Sequence, residues 1–458
     1  MFDINEAAQY LSGKFGHYRA DHIEVHLEET EASAVAYRGR DLETATRTRD
    51  AGGNIRALVN GGWGFVSFNS LDNIEKRIEQ AVEQARLAGK GGGEFAGVPA
   101  VTTEVTIDEN HDPRLISLAD KKALLDEYNE ALWSVGGLQT SNIGYGDSRR
   151  KSVLLTSGGS FISQERADVT LRVNAVAAGD GEVQQSGISM GSRGTFSDIK
   201  GLHSRVKETA ERAVSLLKAP QARGGEYTVV LDPVLAGVFV HEAFGHLSEA
   251  DHIYENPQLK AVMVLGREFG GEHLNIIDDA TMLNLRGGYA YDDEGTPGQR
   301  VHLIREGKLT GRLHSRETAA KMKEAPSGNA RAISFRHPPI VRMGNTFIEP
   351  RDVTFDQMIG DIKEGIYARN WYGGTTSMEM FTFSAGEAFM IRNGKVEELI
   401  RPVVLSGNVF ETLKRIDAIG NDLDMNQGGG CGKGGQSPLA VSNGSPHIRI
   451  QQCLIGGR

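Results

Sequence analysis

The 458-residue chain carries 50 Lys and Arg against 60 Asp and Glu, a formal net charge of −10. Phosphate contacts need Lys and Arg, so this balance excludes a general polyanion binder, and no direct nucleic-acid binding is expected. No apolar run reaches the roughly 18 residues that a membrane span needs, and two cysteines in a chain this long exclude a disulfide framework.

In chain order, Ile4, Ala7, Ala8 and Leu11 give one apolar helical face, so a short amphipathic helix opens the chain. The N-terminal segment lacks a basic stretch followed by an apolar one, so no signal peptide is expected and the default is a cytoplasmic protein. Strand-like runs follow at 23–27, 34–37 and 55–69, the last around the turn-like Gly61-Gly62. Asp72 and Glu75 have capping-box spacing ahead of a helix with Ile74, Ile78, Val82 and Ala85 as its stripe, which Gly89 can end. Residues 89–97 are glycine-rich and read as a loop.

A second helix starts at Ser117, with Asp120 as its capping acid and Leu124, Leu125, Tyr128 and Leu132 inside. Alternating runs at 152–156, 161–177 and 182–190 predict an antiparallel meander. A third helix covers 202–217, and the Ala-Pro-Gln-Ala-Arg-Gly-Gly stretch at 219–225 is the best boundary. The reading is an α+β protein: an N-terminal α/β domain at 1–220 with mostly antiparallel strands, and a β-rich C-terminal domain at 226–458.

The second domain opens with a strand at 227–231. Asp232-Pro233 then starts a helix, Asp capping and Pro suiting the first position. That helix is apolar on nearly every side, which predicts burial. Short Gly-, Asn- and Asp-punctuated strands follow, with hairpin signals at 305–309 and 392–396. No fixed-period repeat is present.

A buried apolar helix holding His241, Glu242 and His246 needs partners for all three, because burying them unpaired costs several kcal/mol. A divalent metal supplies them. Two imidazoles bind it, its water becomes more acidic, and Glu242 takes the proton. The spacing is H-E-x-x-x-H. In a regular helix an i, i+5 pair is separated by about 140°, against about 40° for i, i+4. A π-type bulge or unwound turn near Gly245 is therefore predicted, with small Ala243 and Gly245 allowing a close backbone approach. The competing reading is a pair of core histidines bonded to backbone.

Candidates for a third ligand are Asp251, His252, His273, Cys431 and Cys453. Cys431 ranks ahead of Cys453. It lies in the glycine run 428–435, where a bare thiol would be an oxidation hazard, whereas Cys453 sits in an alternating run as a small core residue. The same glycine run, ending in Lys433, does not match a phosphate-binding loop. His273, Tyr289, Tyr291, His302 and His314 are five candidates for polarising a scissile carbonyl. Asp292, Asp293 and Glu294 precede Gly-Thr-Pro in a turn and could touch substrate or shape the loop.

Several blocks together resemble the TldD/PmbA family, specifically its TldD-type subunit. They are His241-Glu-Ala-Phe-Gly-His246 with Glu249-Ala-Asp251, residues 292–299 (Asp-Asp-Glu-Gly-Thr-Pro-Gly-Gln), 342–346, 387–394, Cys431-Gly-Lys-Gly-Gly-Gln436 and 60–65, in family order over most of the chain. The resemblance implies zinc (Zn2+) held by His241, His246 and Cys431, with Glu242 as general base. It implies a protease of unfolded peptides, in roles such as trimming a peptide-antibiotic precursor or degrading a labile antitoxin. The substrate would lie as an added strand on a sheet edge. It also implies a dimer, either of two copies or with a related subunit lacking the metal motif, this chain being the catalytic half. Two other readings stand beside it: a regulatory or binding protein with a structural zinc, matching the family's association with DNA gyrase modulation, and a metal hydrolase of another amide or ester. Glu242 separates the first of these, since a structural site closed by four ligands has no use for an adjacent base.

Overall fold

The computed structural model describes residues 3–91, 94–377 and 379–456. Gly92 and Gly93 of the glycine-rich segment lie outside the described residues, as do the first two and last two residues of the chain. The fold is α+β. Its first half runs α1 (Ile4–Leu11), β1 (His22–Arg38), β2 (Asp41–Val59), β3 (Gly62–Phe68), α2 (Ile74–Ala88), β4 (Thr102–Val105), α3 (Leu118–Trp133), β5 (Leu138–Thr156), β6 (Phe161–Gly179), β7 (Glu182–Ser192) and α4 (His203–Leu216). The seven strands make one sheet in the order β3-β2-β1-β5-β6-β4, with β7 also on β6. β4 runs parallel to β6 and the other pairs are antiparallel.

The strands are longer than their apolar runs suggest. The runs at 23–27 and 34–37 join into the 17-residue β1, and the run at 152–156 is the end of the 19-residue β5. Asn142, Gly144, Gly146 and Asp147 are poor strand formers. Pairing with β1 on one side and β6 on the other carries them. Two apolar clusters lie along these strands. At one end α1 and α2 pack Leu11, Ile78 and Ala85 against Val25, Ile55 and Val153. At the other α3 and α4 pack Leu125, Tyr128 and Ala213 against Val35, Ile143 and Leu171. The capping box expected at Asp72 and Glu75 does not form. Asn73 takes the N-cap position at φ 55° with no side-chain cap bond. Asp72 accepts from the Ser70 hydroxyl (2.6 Å), and Glu75 accepts from Tyr10 (2.7 Å) and Lys14 (2.9 Å).

The second half runs β8 (Gly225–Leu231), α5 (Pro233–Val240), α6 (Ala250–Glu255), α7 (Pro257–Val262), β9 (Ile276–Asp279), β10 (Arg300–Arg305), β11 (Lys308–Leu309), α8 (Arg316–Met322), β12 (Ala330–Arg331), β13 (Ile340–Val341) and β14 (Asn345–Ile348). It continues through α9 (Phe355–Ile359), β15 (Glu364–Ser377), β16 (Met380–Arg392), β17 (Lys395–Ile400), β18 (Val404–Asn408), α10 (Val409–Lys414), β19 (Ile416–Ile419), β20 (Asp424–Asn426), β21 (Cys431–Lys433), β22 (Gln436–Leu439), β23 (Ser442–Ser445) and β24 (Ile448–Gly456). Strands β15, β8, β24, β18 and β16 close into a ring, because β16 pairs back onto β15. A second sheet has the order β11-β10-β9-β14-β23-β20. Both expected hairpins form, with Glu306-Gly307 and Asn393-Gly394 at positive φ. Helix α5 packs against β14, β20 and β23 of the open sheet and against β8 and β15 of the ring. A helix held between two sheets has no wet side, which accounts for its apolar sequence.

The halves meet through buried polar groups. Arg56 Nη1 on β2 donates to Glu24 (2.6 Å) and to Glu294 (3.2 Å). Arg286 spans to Asp168 on β6 (2.5 and 2.8 Å), and Asn54 donates to the Phe335 carbonyl (2.9 Å). Asp292, Asp293 and Glu294 shape this junction. Asp292 accepts from the backbone of Glu294, Thr296 and Ala330, Asp293 from Ala332, and Glu294 from Arg316. Arg56→Met leaves Glu24 and Glu294, 2% and 1% exposed, without their shared cation. Breaking a buried pair in this way costs about 3–5 kcal/mol. The apparent thermal midpoint should fall, and Arg56→Met with Glu294→Gln should fall by less than the two single changes summed.

Candidate metal centre

Asp232 sets the start of α5. Its Oδ1 accepts from the Leu235 N–H (2.9 Å) and the Asn370 N–H (3.1 Å), while burial pushes its carboxyl up to about 6. Beyond Val240 the helix widens into a π turn, His241–Gly245, closed by the His246 N–H donating to the His241 carbonyl. This is the irregularity that H-E-x-x-x-H demands. The extra residue in the turn returns His246 to the side of His241, with ring centroids 5.2 Å apart. Gly245 permits the approach of the neighbouring chain, since a Cβ there would lie 2.1 Å from Met343 Sδ.

Cys431 comes from β21, which turns through Gly434 and Gly435 (φ 57° and 76°) into β22. The glycine run is thus a hairpin with the thiol at its base. Its Sγ lies 3.4 Å from His246 Nε2. Ligand atoms of His241, His246 and Cys431 all fall within 4.8 Å of one another. Glu242, with a 31% exposed side chain, places Oε2 3.9 Å from His246 Nε2.

Three residues to which the sequence reading gave no role at the site hold this geometry. Glu249, fully buried, accepts from or shares a proton with His246 Nδ1 at 2.9 Å. Lys433 Nζ lies 3.1 Å from Glu249 and donates to Asp251 (2.7 and 2.8 Å) and to the Val341 carbonyl (2.8 Å). Arg342, with no exposed surface, donates to the carbonyls of Cys431 (2.7 Å) and Gln436 (3.2 Å). The available signal was spacing: Glu249 follows His246 by three residues, and Lys433 follows Cys431 by two.

Burial alone would raise the Cys431 thiol, but His241 and His246 outweigh it and hold it down at about 5. Burial works against the charged forms of both imidazoles. Cys431 outweighs it at His241 and Glu249 at His246, so both are raised. Glu249 is held at about 2, burial being overcome by His246 and Lys433. Cys453 is different: burial among apolar side chains pushes its thiol up to about 12.

A divalent metal fits these residues. His241 Nδ1 is buried without a hydrogen-bond partner among the described residues. Two imidazoles with one thiol primed to ionise are a donor set for a borderline-soft ion. The other candidates are engaged elsewhere. Asp251 is bound by Lys433, His273 bonds the Ile416 carbonyl (2.8 Å), and His252 lies 3.9 Å from Glu249. Tyr289 donates to the Gly328 carbonyl, His302 pairs with Arg305, and His314 with Thr318 and Glu324. Tyr291 meets Gln164 through its backbone.

Family models described as PmbA/TldA metallopeptidase domain 1, central domain and C-terminal domain match residues 23–86, 111–217 and 224–457. A Synechocystis protein named a metalloprotease is 46% identical over 441 residues, covering 96% of this chain and 95% of that protein. A zinc metalloprotease TldD homolog of Saccharolobus solfataricus is 29% identical, covering all of both chains. Among solved structures, TldE from Thermococcus kodakarensis superposes with a TM-score of 0.78 at 18% identity over 98% of this chain and 100% of that one, a likeness of fold.

Gly245→Ala should force Met343 to move, an overpacking cost of about 1–3 kcal/mol read in the denaturation midpoint. Combined with Met343→Ala, the loss should be smaller than the sum of the single losses.

Proposed function

From the premise that the chain belongs to the PmbA/TldA metallopeptidase family, we propose that it is a zinc-dependent peptidase of unstructured peptides. In this reading His241, His246 and Cys431 hold the ion and Glu242 is the general base. The supporting observation is the convergence of two imidazoles and a thiol beside a carboxylate open to solvent on one side. Among the described residues the converging donors stop at three, which suits a site with an open position.

When bound, the ion would supply Lewis acidity to the peptide carbonyl and to the attacking water. Glu242 takes the water's proton and passes it to the departing amine. Glu249 fixes the orientation of His246 through Nδ1, leaving Nε2 toward Cys431. Lys433 keeps Glu249 anionic, and Arg342 holds the backbone of Cys431.

The substrate is an extended peptide added to a sheet edge, a mode that reads backbone and so requires an unfolded chain. The working form is a dimer, of two copies or with a related subunit lacking the metal motif. Residues 1–220 and 226–458 act as two domains in this scheme. The setting is cytoplasmic, in keeping with the reduced cysteines; no helix among the described residues is long and apolar enough to cross a membrane.

Glu242→Gln should retain the metal and lose about 100-fold or more in kcat/KM on an unstructured peptide; persistent activity rules out the general-base role. By elemental analysis, Cys431→Ala should lose zinc and Cys453→Ala keep it, and the reverse pattern overturns the ligand set.

A further inference from the structure

A cavity of about 480 Å³ lies between the long sheet of the first half and the loops around the Cys431 hairpin. Its walls carry six arginines, Arg150, Arg166, Arg172, Arg193, Arg286 and Arg331, and one carboxylate, Asp168. Two of the six have a carboxylate in contact. Arg150 meets Glu28 (2.7 Å), and Arg286 takes both oxygens of Asp168. Among the described residues Arg166 donates only to the Gly288 carbonyl (2.6 Å), and Arg331 only to the carbonyls of Met343 (2.6 Å) and Ala440 (2.8 Å); both guanidiniums also lie over the Tyr289 ring, at 5.5 and 4.8 Å. Among the described residues Arg193 and Arg172 make no hydrogen bond or ion pair. The Nε atoms of Arg150 and Arg331 are buried and without a partner among the described residues.

Guanidinium groups do not shed their protons in proteins. Arg331 is buried and Arg166 and Arg193 are half-buried, with no carboxylate in ion-pair contact among the described residues, so an anion entering the cavity would meet positive charge that is only partly compensated. Burial, and then the neighbouring arginines, disfavour the charge of Arg166 most strongly, and burial does the same at Arg193. Asp293 acts on Arg166 and Arg331 without an ion-pair contact, and Asp278 acts on Arg331 in the same way. The Asp293 charge is shared among Arg150, His26 and Arg166, and one of its oxygens is taken by the Ala332 N–H.

The cavity adjoins the Cys431 hairpin in sequence, although His241, Glu242, His246 and Cys431 do not line it. Gly429 and Gly430 line it and lead directly into Cys431. Leu439, also in its wall, is the register partner of Cys431 in the hairpin. Arg286 links the two, donating to the Gly429 carbonyl (2.7 Å) while holding Asp168.

We infer that this cavity recognises a carboxylate of the peptide substrate, either its free C-terminus or an Asp or Glu side chain, through Arg166, Arg193 and Arg331. The inference rests on the peptidase reading and assigns that site a substrate preference. Arginine presents paired N–H donors that match a carboxylate, and the bonds are charge-assisted.

The test uses the full chain carrying Glu242→Gln, so that binding is read without turnover. Three fluorescent peptides of Ala, Ser and Gln are compared by anisotropy: one amidated and uncharged, one with a free C-terminal carboxylate, and one amidated with a single Glu. At least one carboxylate peptide should bind about tenfold tighter than the uncharged one, and which of them does so identifies the source. Arg193→Gln and Arg166→Gln, made separately, should each bring that ratio toward one, while Arg392→Gln on the distant β16–β17 hairpin should leave it intact. Affinities equal within about twofold for all three peptides overturn the inference, and that comparison needs no arginine variant to fold. A preference that survives both cavity variants overturns it as well. Cleavage of the uncharged amidated peptide by the unsubstituted chain is scored in parallel. Its presence keeps the peptidase reading standing if the inference falls, and its absence counts against that reading independently of the binding ratios.

Discussion

Helix α5 runs between the five-strand ring and the six-stranded sheet, and the candidate metal centre is built on that confinement. Leu235, Ala236, Phe239 and Val240 join one core with residues of both sheets. Phe239 meets Phe381 and Phe383 of the ring edge-on, at centroid distances of 5.4 and 6.1 Å. A helix so enclosed can carry ionisable groups only at its end and only if each has a partner. His241, His246 and Cys431 satisfy this by facing one another, and Glu249 with Lys433 extends the pairing outward.

The same enclosure makes a regular helix unworkable at the site. Continued α-helical turns would send His246 away from His241 into the apolar core. The π turn removes that conflict, and the absence of a side chain at Gly245 lets the widened turn sit against Met343. The centre thus joins elements about two hundred residues apart in the chain. Helix α5 supplies the imidazoles, and the β21–β22 hairpin, anchored by Arg342 and Lys433, supplies the thiol. Arg286 ties the approach to that hairpin to Asp168 of the first half, so the long sheet contributes to the wall beside the centre.

Local patterns carried the sequence reading a long way where one element decides its own form. The Asp232-Pro233 start, the all-apolar faces of α5, the two hairpins and the stripes of α2, α3 and α4 are each set by spacing and turn chemistry. The irregular turn at His241–Gly245 follows from five-residue spacing on a buried helix. Where pairing decides, the reading fell short. Residues 138–151 have little strand propensity of their own, yet two flanking strands hold them in a 19-residue strand. The capping-box spacing at Asp72 and Glu75 misled, because Glu75 is taken by Tyr10 and Lys14 from the opening segment.

The sequence by itself determined the candidate donor types and the proposed base: two His and a Glu on a helix with no polar face, and a Cys in a glycine run whose freedom lets it approach another surface. Tertiary structure brought the Cys431 thiol to the imidazoles and buried Cys453 in the core, as the sequence ranking expected. The glycine run ranks Cys431 ahead of Cys453; the folded neighbours then hold the first thiol at about 5 and push the second, among apolar side chains, to about 12. Tertiary structure also decided the fate of the five polar candidates for carbonyl polarisation and the gathering of arginines around one cavity. Those depend on charges and carbonyls brought together from distant segments, and no local spacing encodes such contacts.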